Sequence, residues 1–353
     1  MRYEAQTDGG RDSILSVKSA ARNGPTRVAS IDSVKRRLSR SSSLDVMEEQ
    51  LRGQVEELRV FANEIGAQGG HLQRPSDMIF TGSGDSFACS LFASYLSRGL
   101  ARAADPYELQ QYPELAIGKT VFITSVSGRT RANLRLARRI KRLARKRVAV
   151  TANPASPLAK ECDETLPLPS RLLGPVTSGT VSFTTSLLAL ASRTRTLPRL
   201  RDLDKAEARA KQWARGLRTV PRGGFLFVGS EFGYALSAYG SFKIHEVLGN
   251  PADYAQTEQL GHSKLFSLQT RDNIVCLASR QDRKTAYVSR VLSKNGFHSN
   301  LLDIQARDPV VAGLEAAFSF QYLALELARS RRLKEVAFLL DRKKLRLSSS
   351  LIY

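Results

Sequence analysis

Short apolar runs, each closed by a turn and followed by a helix-forming stretch, recur along this chain. Met78-Ile79-Phe80 is the first; a Gly/Ser turn and a small-residue helix through about Ser97 follow it. Val121–Val126 is the second, with a Ser/Gly turn and a long Arg-rich helix from about Thr130 to Lys146, and Val148–Thr151 is the third. The design then repeats. Phe225-Leu226-Phe227-Val228 precedes Gly229-Ser230 and another small-residue helix; Asn273–Ala278 is a strand, Thr285–Lys294 a helix ending at Gly296, and Ser299–Ile304 a strand. Strands that alternate with helices pair in parallel, because a parallel return needs a crossover. The pattern therefore predicts two similar α/β domains in tandem, each a parallel sheet flanked by helices.

The chain has 353 residues, room for two or three domains with real cores. Residues 1–46 stand apart: rich in Ser, Arg, Gly and Asp, without apolar periodicity, and ending in a basic Arg/Ser run, they read as a disordered N-terminal segment. They hold no apolar stretch of the secretory type, and Met47 offers an alternative start. A helix is expected from near Asp45, where Asp45 and Glu48 have capping-box spacing and Leu51, Val55, Leu58 and Ile65 share one face. The expected division is a first domain over 47–200 including this helix, a connecting helix over 201–221, a second domain over 222–341 and a tail over 342–353. On the connecting helix, Trp213 reads as a packing residue.

Composition removes several classes. Hydrophobic residues make up 42%, too many for a disordered chain. No uninterrupted apolar run approaches the roughly 18 residues of a membrane span, so no membrane partner is expected. Cys89, Cys162 and Cys276 lie far apart without a CxxC or a Cys/His cluster, which argues against a disulfide scaffold or a zinc site and suits a reducing, cytoplasmic setting. The 54 Lys and Arg against 33 Asp and Glu give a net charge of +21. Such charge admits nucleic acid as a partner, but no nucleic-acid motif accompanies it, and that reading ranks below anionic small substrates. Most of the positive residues of 131–147 lie beyond the first helical turn and are read as a solvated face, with an anionic partner or a subunit contact as alternatives.

Two loops carry chemistry. Thr81-Gly82-Ser83-Gly84-Asp85-Ser86 joins a strand to a helix at the carboxyl edge of the expected sheet, where ligands of open parallel sheets bind. Ser125-Val126-Ser127-Gly128-Arg129-Thr130 does the same with three hydroxyls and a glycine, a phosphate cradle that works without metal. One hydroxyl would suffice to cap the helix. The matching turn of the second half, Ser279-Arg280-Gln281-Asp282, lacks the pattern, so one phosphate site is expected, in the first domain.

Ser-x-Ser-Gly-x-Thr after a Val/Ile/Phe strand, with Gly-x-Ser after the preceding strand, resembles the sugar isomerase (SIS) domain family. Val176–Thr185 resembles that family's later Ser/Thr segment. Over about residues 47–353 the chain is similar to the isomerase half of the glucosamine-6-phosphate synthases, which carries two SIS domains in tandem. The resemblance implies two flavodoxin-like three-layer sandwiches, a phosphorylated sugar as ligand, a homodimer, and no metal or organic cofactor. It also implies that Ser125, Ser127, Gly128 and Thr130 hold the phosphate and that Ser86, Asp85, Ser178 and Thr180 line the same pocket. Asp85 stands where the family often has Thr; beside a phosphate it would repel unless it faced a sugar hydroxyl or a cation.

The resemblance further supplies acid–base residues. Phe242-Lys243-Ile244-His245-Glu246 is similar to the synthases' Lys-x-x-Glu segment, which implies Glu246 as the carrier of a proton between C1 and C2 and Lys243 as an electrostatic helper. Gln259-Leu260-Gly261-His262-Ser263 resembles a segment whose His assists ring opening, which implies that role for His262. These residue types suit aldose–ketose interconversion on general grounds: a near-neutral imidazole opens the ring and a carboxylate shuttles the proton. Residues 1–46 are too short for the synthases' glutaminase domain, so glutamine-dependent ammonia production is not expected. The synthase tail lysine falls here on Leu347, with Lys343, Lys344 and Arg346 nearby. The expected function is a sugar-phosphate isomerase or amino-sugar-phosphate deaminase; a non-catalytic sugar-phosphate sensor is the alternative.

Overall fold

The structure is a computed structural model, and it describes residues 41–67, 74–170, 178–221 and 223–353. The expected disorder of residues 1–40 lies outside the described residues. The rest of that segment is structured: helix α1 covers Ser43–Ala67, with Leu44, Val46 and Met47 buried. Its cap lies earlier than Asp45. Ser42 Oγ accepts from the Asp45 amide at 3.2 Å and the Asp45 carboxylate accepts from the Ser42 amide at 3.2 Å, so the reciprocal cap is Ser42 with Asp45.

The first sheet has five strands: β1 Met78–Gly82, β2 Arg102–Ala104, β3 Thr120–Thr124, β4 Lys146–Thr151 and β5 Glu164–Pro167, in the order β2-β1-β3-β4-β5 and all parallel. Helix α2, Asp85–Leu96, follows β1; α3, Arg131–Arg139, follows β3; α4, Val181–Thr194, follows β5. Helix α5, Leu203–Gly216, then leads to the second sheet. Its strands are β6 Phe225–Gly229, β7 Ala252–Gln256, β8 Asn273–Ala278 and β9 His298–Asp303, in the order β7-β6-β8-β9. Helices α6 Phe232–Leu248, α7 Arg283–Lys294, α8 Pro309–Ser330 and α9 Arg342–Ile352 complete the longer elements.

The shared order shows two parallel α/β sheets in tandem, as the alternation of strands and helices requires. Central strands β1, β3, β6 and β8 are buried along their whole length, as parallel strands covered on both faces must be. The three strands missing from the sequence pattern, β2, β5 and β7, are edge strands that show a partly exposed face and carry no apolar run.

One hydrophobic core runs through both halves. Helix α2 packs against α4 of its own half and α6 of the other, and the Phe183 ring stacks on Tyr239 at 3.5 Å between centroids. Helix α8 lies against α5 and α6. It is buried almost all round, so it lacks the one-sided period that marks a surface helix and is absent from the sequence pattern. Its length and composition would suit a membrane span, yet 89% of its most apolar window is buried inside the protein. Trp213 packs as expected, edge-on to Phe320, with its Nε1 donating to the Leu301 carbonyl at 3.0 Å.

The Arg-rich helix is shorter than its pattern. It stops at Arg139, because Lys146 already begins β4. Several of its charges meet acids from elsewhere: Arg138 pairs with Glu161 at 2.7 Å and Lys146 with Glu164 at 2.8 Å. Buried Arg147 is bound to Asp163 at 2.6 Å, which holds the Asp163 carboxyl below its usual range. A run without acids in sequence is therefore partly neutralised in space.

Candidate functional site

Three helix N-termini meet at one cavity of about 620 Å³. Ser83 and Ser86 bring the start of α2, Thr130 and Asn133 that of α3, and Ser178, Gly179 and Ser182 that of α4. At none of the three does the N-cap side chain bond to a helix amide. The positive ends of three helix dipoles therefore meet at the cavity, which suits an anion.

Sterics explain why the chain folds this way here. A Cβ on Gly82 would stand 2.6 Å from Ser86 Cβ and 2.9 Å from the Thr124 carbonyl, so only glycine lets α2 start so close to β1 and β3. Gly128 has φ +62°, and a Cβ there would meet Ser156 Oγ at 2.1 Å. The hydroxyls of the second loop are arranged around that glycine. Ser125 Oγ and Thr130 Oγ1 share a hydrogen bond of 3.1 Å, and Ser127 Oγ accepts from the Arg129 amide at 3.3 Å. Thr130 stands at the N-cap of α3 without capping it, so capping does not account for the hydroxyls. Deeper in, Thr124 Oγ1 and Asn133 Oδ1 are buried without a hydrogen-bond partner among the described residues.

Beside the cavity lies a charged network. Lys243 is fully buried, and its Nζ donates to Asp85 Oδ2 at 2.9 Å, to Ser178 Oγ at 2.7 Å and to Glu246. An ammonium has three donors, and all three are taken. Lys243 is thereby a positioning residue within this arrangement. Asp85 faces a cation, which resolves the repulsion expected of it. Burial pushes the Asp85 carboxyl up to about 7, against the pull of Lys243 and with the push of Glu246. For Lys243 burial acts downward, but the Asp85 and Glu246 carboxylates outweigh it and the net shift is upward. Ser178 donates onward to Glu246 Oε2 at 2.7 Å, and Tyr239 Oη holds the neighbouring Gly179 carbonyl at 2.8 Å.

Glu246 also lines a second cavity, of about 920 Å³, between α6 and the C-terminal helix α9. Tyr353 borders both cavities, and Arg131 donates to its main-chain oxygen at 3.1 Å. Leu347, at the position matched to the tail lysine, is exposed, whereas Lys344 lines the cavity beside Glu246.

The structure thus gathers Ser86, Asp85, Ser125, Ser127, Gly128, Thr130, Ser178, Lys243 and Glu246 around one region. Thr180 is buried behind it; its Oγ1 donates to Gln50 Oε1 at 2.5 Å. His262 lies apart, exposed, with its Nε2 3.5 Å from Glu258, and it borders neither cavity. His245, one residue from Glu246, takes its Ala252 backbone partner at 2.7 Å. Gln50, Asn133 and Ser182 line the first cavity without having been singled out from the sequence. Ser182 sits in the quoted Ser/Thr segment and Asn133 one turn into α3, so position gave a signal for both; Gln50 comes from α1, with none. Among the described residues no cluster of His, Cys, Asp and Glu could hold a metal ion.

Residues 71–193 match the SIS domain model. No curated protein matches the chain in sequence. Solved structures with this fold include the C-terminal domain of glucosamine-fructose-6-phosphate aminotransferase from Francisella tularensis, 17% identical with a TM-score of 0.67, over 82% of this chain and 97% of that one. Glucosamine-6-phosphate deaminase from Thermotoga maritima is 19% identical with a TM-score of 0.66, over 82% and 96%. Tagatose-6-phosphate ketose/aldose isomerase from Escherichia coli is 17% identical with a TM-score of 0.65, over 81% and 92%. At such identities the likeness is one of fold. The match to the SIS domain thus covers the first sheet, and the fold of the whole described chain is similar to that of these three structures.

Proposed function

We propose that this protein binds a phosphorylated sugar, with its phosphate on the 125–130 loop and its C1–C2 end near Glu246, and catalyses aldose–ketose isomerisation or the related deamination of an amino-sugar phosphate. The observation that carries this is the bond from Ser178 to Glu246: Ser178 borders the cavity at the three helix N-termini, and its hydroxyl touches the carboxylate. A ligand anchored at Ser127 is thereby brought towards a base.

In this scheme Glu246 takes the C2 proton of the open-chain aldose and returns it to C1, with a second proton moving between the two sugar oxygens. Lys243 donates to the Glu246 carboxylate and supplies positive charge near the enediolate. The protein acts as a homodimer, and His262, exposed on its own protomer, opens the ring of the sugar held by a second copy. Metal and organic cofactors have no part in these steps.

A second reading, a sensor that binds the sugar phosphate without turnover, draws support from Leu347, which stands at the position matched to the tail lysine, is exposed and does not line the cavity. Calorimetric titration tests the binding common to both. Hexose 6-phosphates bind the wild type, the unphosphorylated hexoses do not, and Ser127→Ala weakens binding about tenfold or more, the worth of a hydrogen bond to a charged group. Equal binding by wild type and Ser127→Ala contradicts the placement of the phosphate.

A further inference from the structure

A separate cavity of about 530 Å³ opens between the C-terminal end of α1, the C-terminal end of α4 and the segment 195–201. Five arginines line it, Arg59, Arg193, Arg195, Arg199 and Arg201, and no acidic residue does. Two of them are engaged in building its wall. Arg59 donates to the Leu200 and Arg201 carbonyls, each at 3.2 Å, and pairs with Asp204, while Arg195 pairs with Asp308 at 3.0 Å.

The other three have no ion pair among the described residues. Arg193 closes the last turn of α4, where a cation complements the helix dipole. One arginine meets that need, and its Nε is nevertheless buried without a hydrogen-bond acceptor. Burial pulls its pKa down, with Glu164 acting the other way. Arg199 and Arg201 add two exposed guanidinium groups to the same concavity. Like charges brought together at a concave surface repel unless an anion joins them, and the guanidinium fork matches phosphate oxygens in pairs. The volume falls within the usual range for small-molecule sites.

We propose that this arginine cavity is a second anion site, for a small ligand bearing two or more phosphate-type charges, with Arg193, Arg199 and Arg201 as its contacts. It is distinct from the serine loop. Helix α4 has Ser182 at the first cavity and Ser192 at the second, ten residues or about 15 Å along the axis. Helix α1 likewise reaches from Gln50 at one to Arg59 at the other.

Calorimetric titration with inorganic pyrophosphate at fixed ionic strength tests this. The full chain carrying Ser127→Ala and Thr130→Ala, which weakens the serine loop, retains one saturable site. Adding Arg193→Gln and Arg199→Gln lowers its affinity at least tenfold. Arg199→Gln alone, an exposed position where folding is not at stake, lowers it at least threefold and decides the matter if the other combination fails to fold. The proposal is overturned if pyrophosphate shows no saturable binding to the serine-loop variant, or if binding is unchanged by the arginine substitutions. Neither result depends on whether the serine loop binds a sugar phosphate.

Discussion

Ser178 Oγ donates to Glu246 Oε2 and accepts from Lys243 Nζ, both at 2.7 Å. One hydroxyl from the first half thus fixes the carboxylate and the ammonium of a helix in the second. Ser178→Ala leaves buried Lys243 one acceptor short, and an unmet buried donor costs about 1–3 kcal/mol, more when charged. Chemical unfolding therefore gives a stability lower by at least about 1 kcal/mol for Ser178→Ala, and lower kcat with it. Unchanged stability would show that the hydroxyl is not a member of the network.

Asp85 makes stability depend on pH near neutrality. Its carboxyl is raised from 3.8 to about 7 by burial, so the folded chain holds a proton that the unfolded chain has released. The resulting stabilisation is complete below pH 3.8 and is lost as pH rises through 7. Asp45 and Asp163, held low by Arg329 and Arg147, act only at acid pH, below this window. Unfolding free energies at pH 5 and pH 8 differ less in Asp85→Asn than in the wild type. An equal difference would mean that Asp85 does not titrate there.

Gly128→Ala strikes the loop through its backbone. The left-handed φ and the 2.1 Å approach to Ser156 Oγ force the turn open, with a loss on the order of 1–3 kcal/mol. Melting temperature and hexose-phosphate affinity fall together in this variant, whereas Ser127→Ala lowers only the affinity. A Gly128→Ala protein with wild-type melting and binding would refute the tight-turn geometry.

The tandem design leaves strain at one point. Gly84 has φ +58° and ψ −126° ahead of α2, and Glu231 has φ +50° and ψ −129° at the same place ahead of α6. Such angles suit glycine and burden glutamate. Glu231 is exposed and makes no ion pair among the described residues, so Glu231→Gly raises stability by about 1 kcal/mol, read as a higher midpoint in urea. A lower midpoint would show that the side chain contributes more than the strain takes away.

Much of the architecture was legible in the sequence because fully buried parallel strands such as Val121–Thr124 and Phe225–Val228 are apolar runs. The edge strand Glu164–Pro167 was not, since hydrogen bonds to one neighbour, rather than an apolar pattern, define it. Helix α8 was hidden by its uniform burial. The serine loop declared itself through three hydroxyls and a glycine in six residues. The Lys243–Asp85 pair did not: 158 positions separate the two, and only the packing of α2 against α6 brings them together. Gln50 was illegible for the same reason.

In the proposed reaction Glu246 moves a proton on a sugar phosphate held by the serine loop. Deuterium incorporation into hexose 6-phosphates in D2O, followed by proton NMR, measures this directly. With wild type, a C1 proton signal of fructose 6-phosphate, or the C2 signal of the matching aldose or amino sugar, is lost. Glu246→Gln abolishes this loss while retaining binding. Incorporation that persists in Glu246→Gln would contradict the assignment, and binding by the wild type without any incorporation would leave a sensor in place of an enzyme.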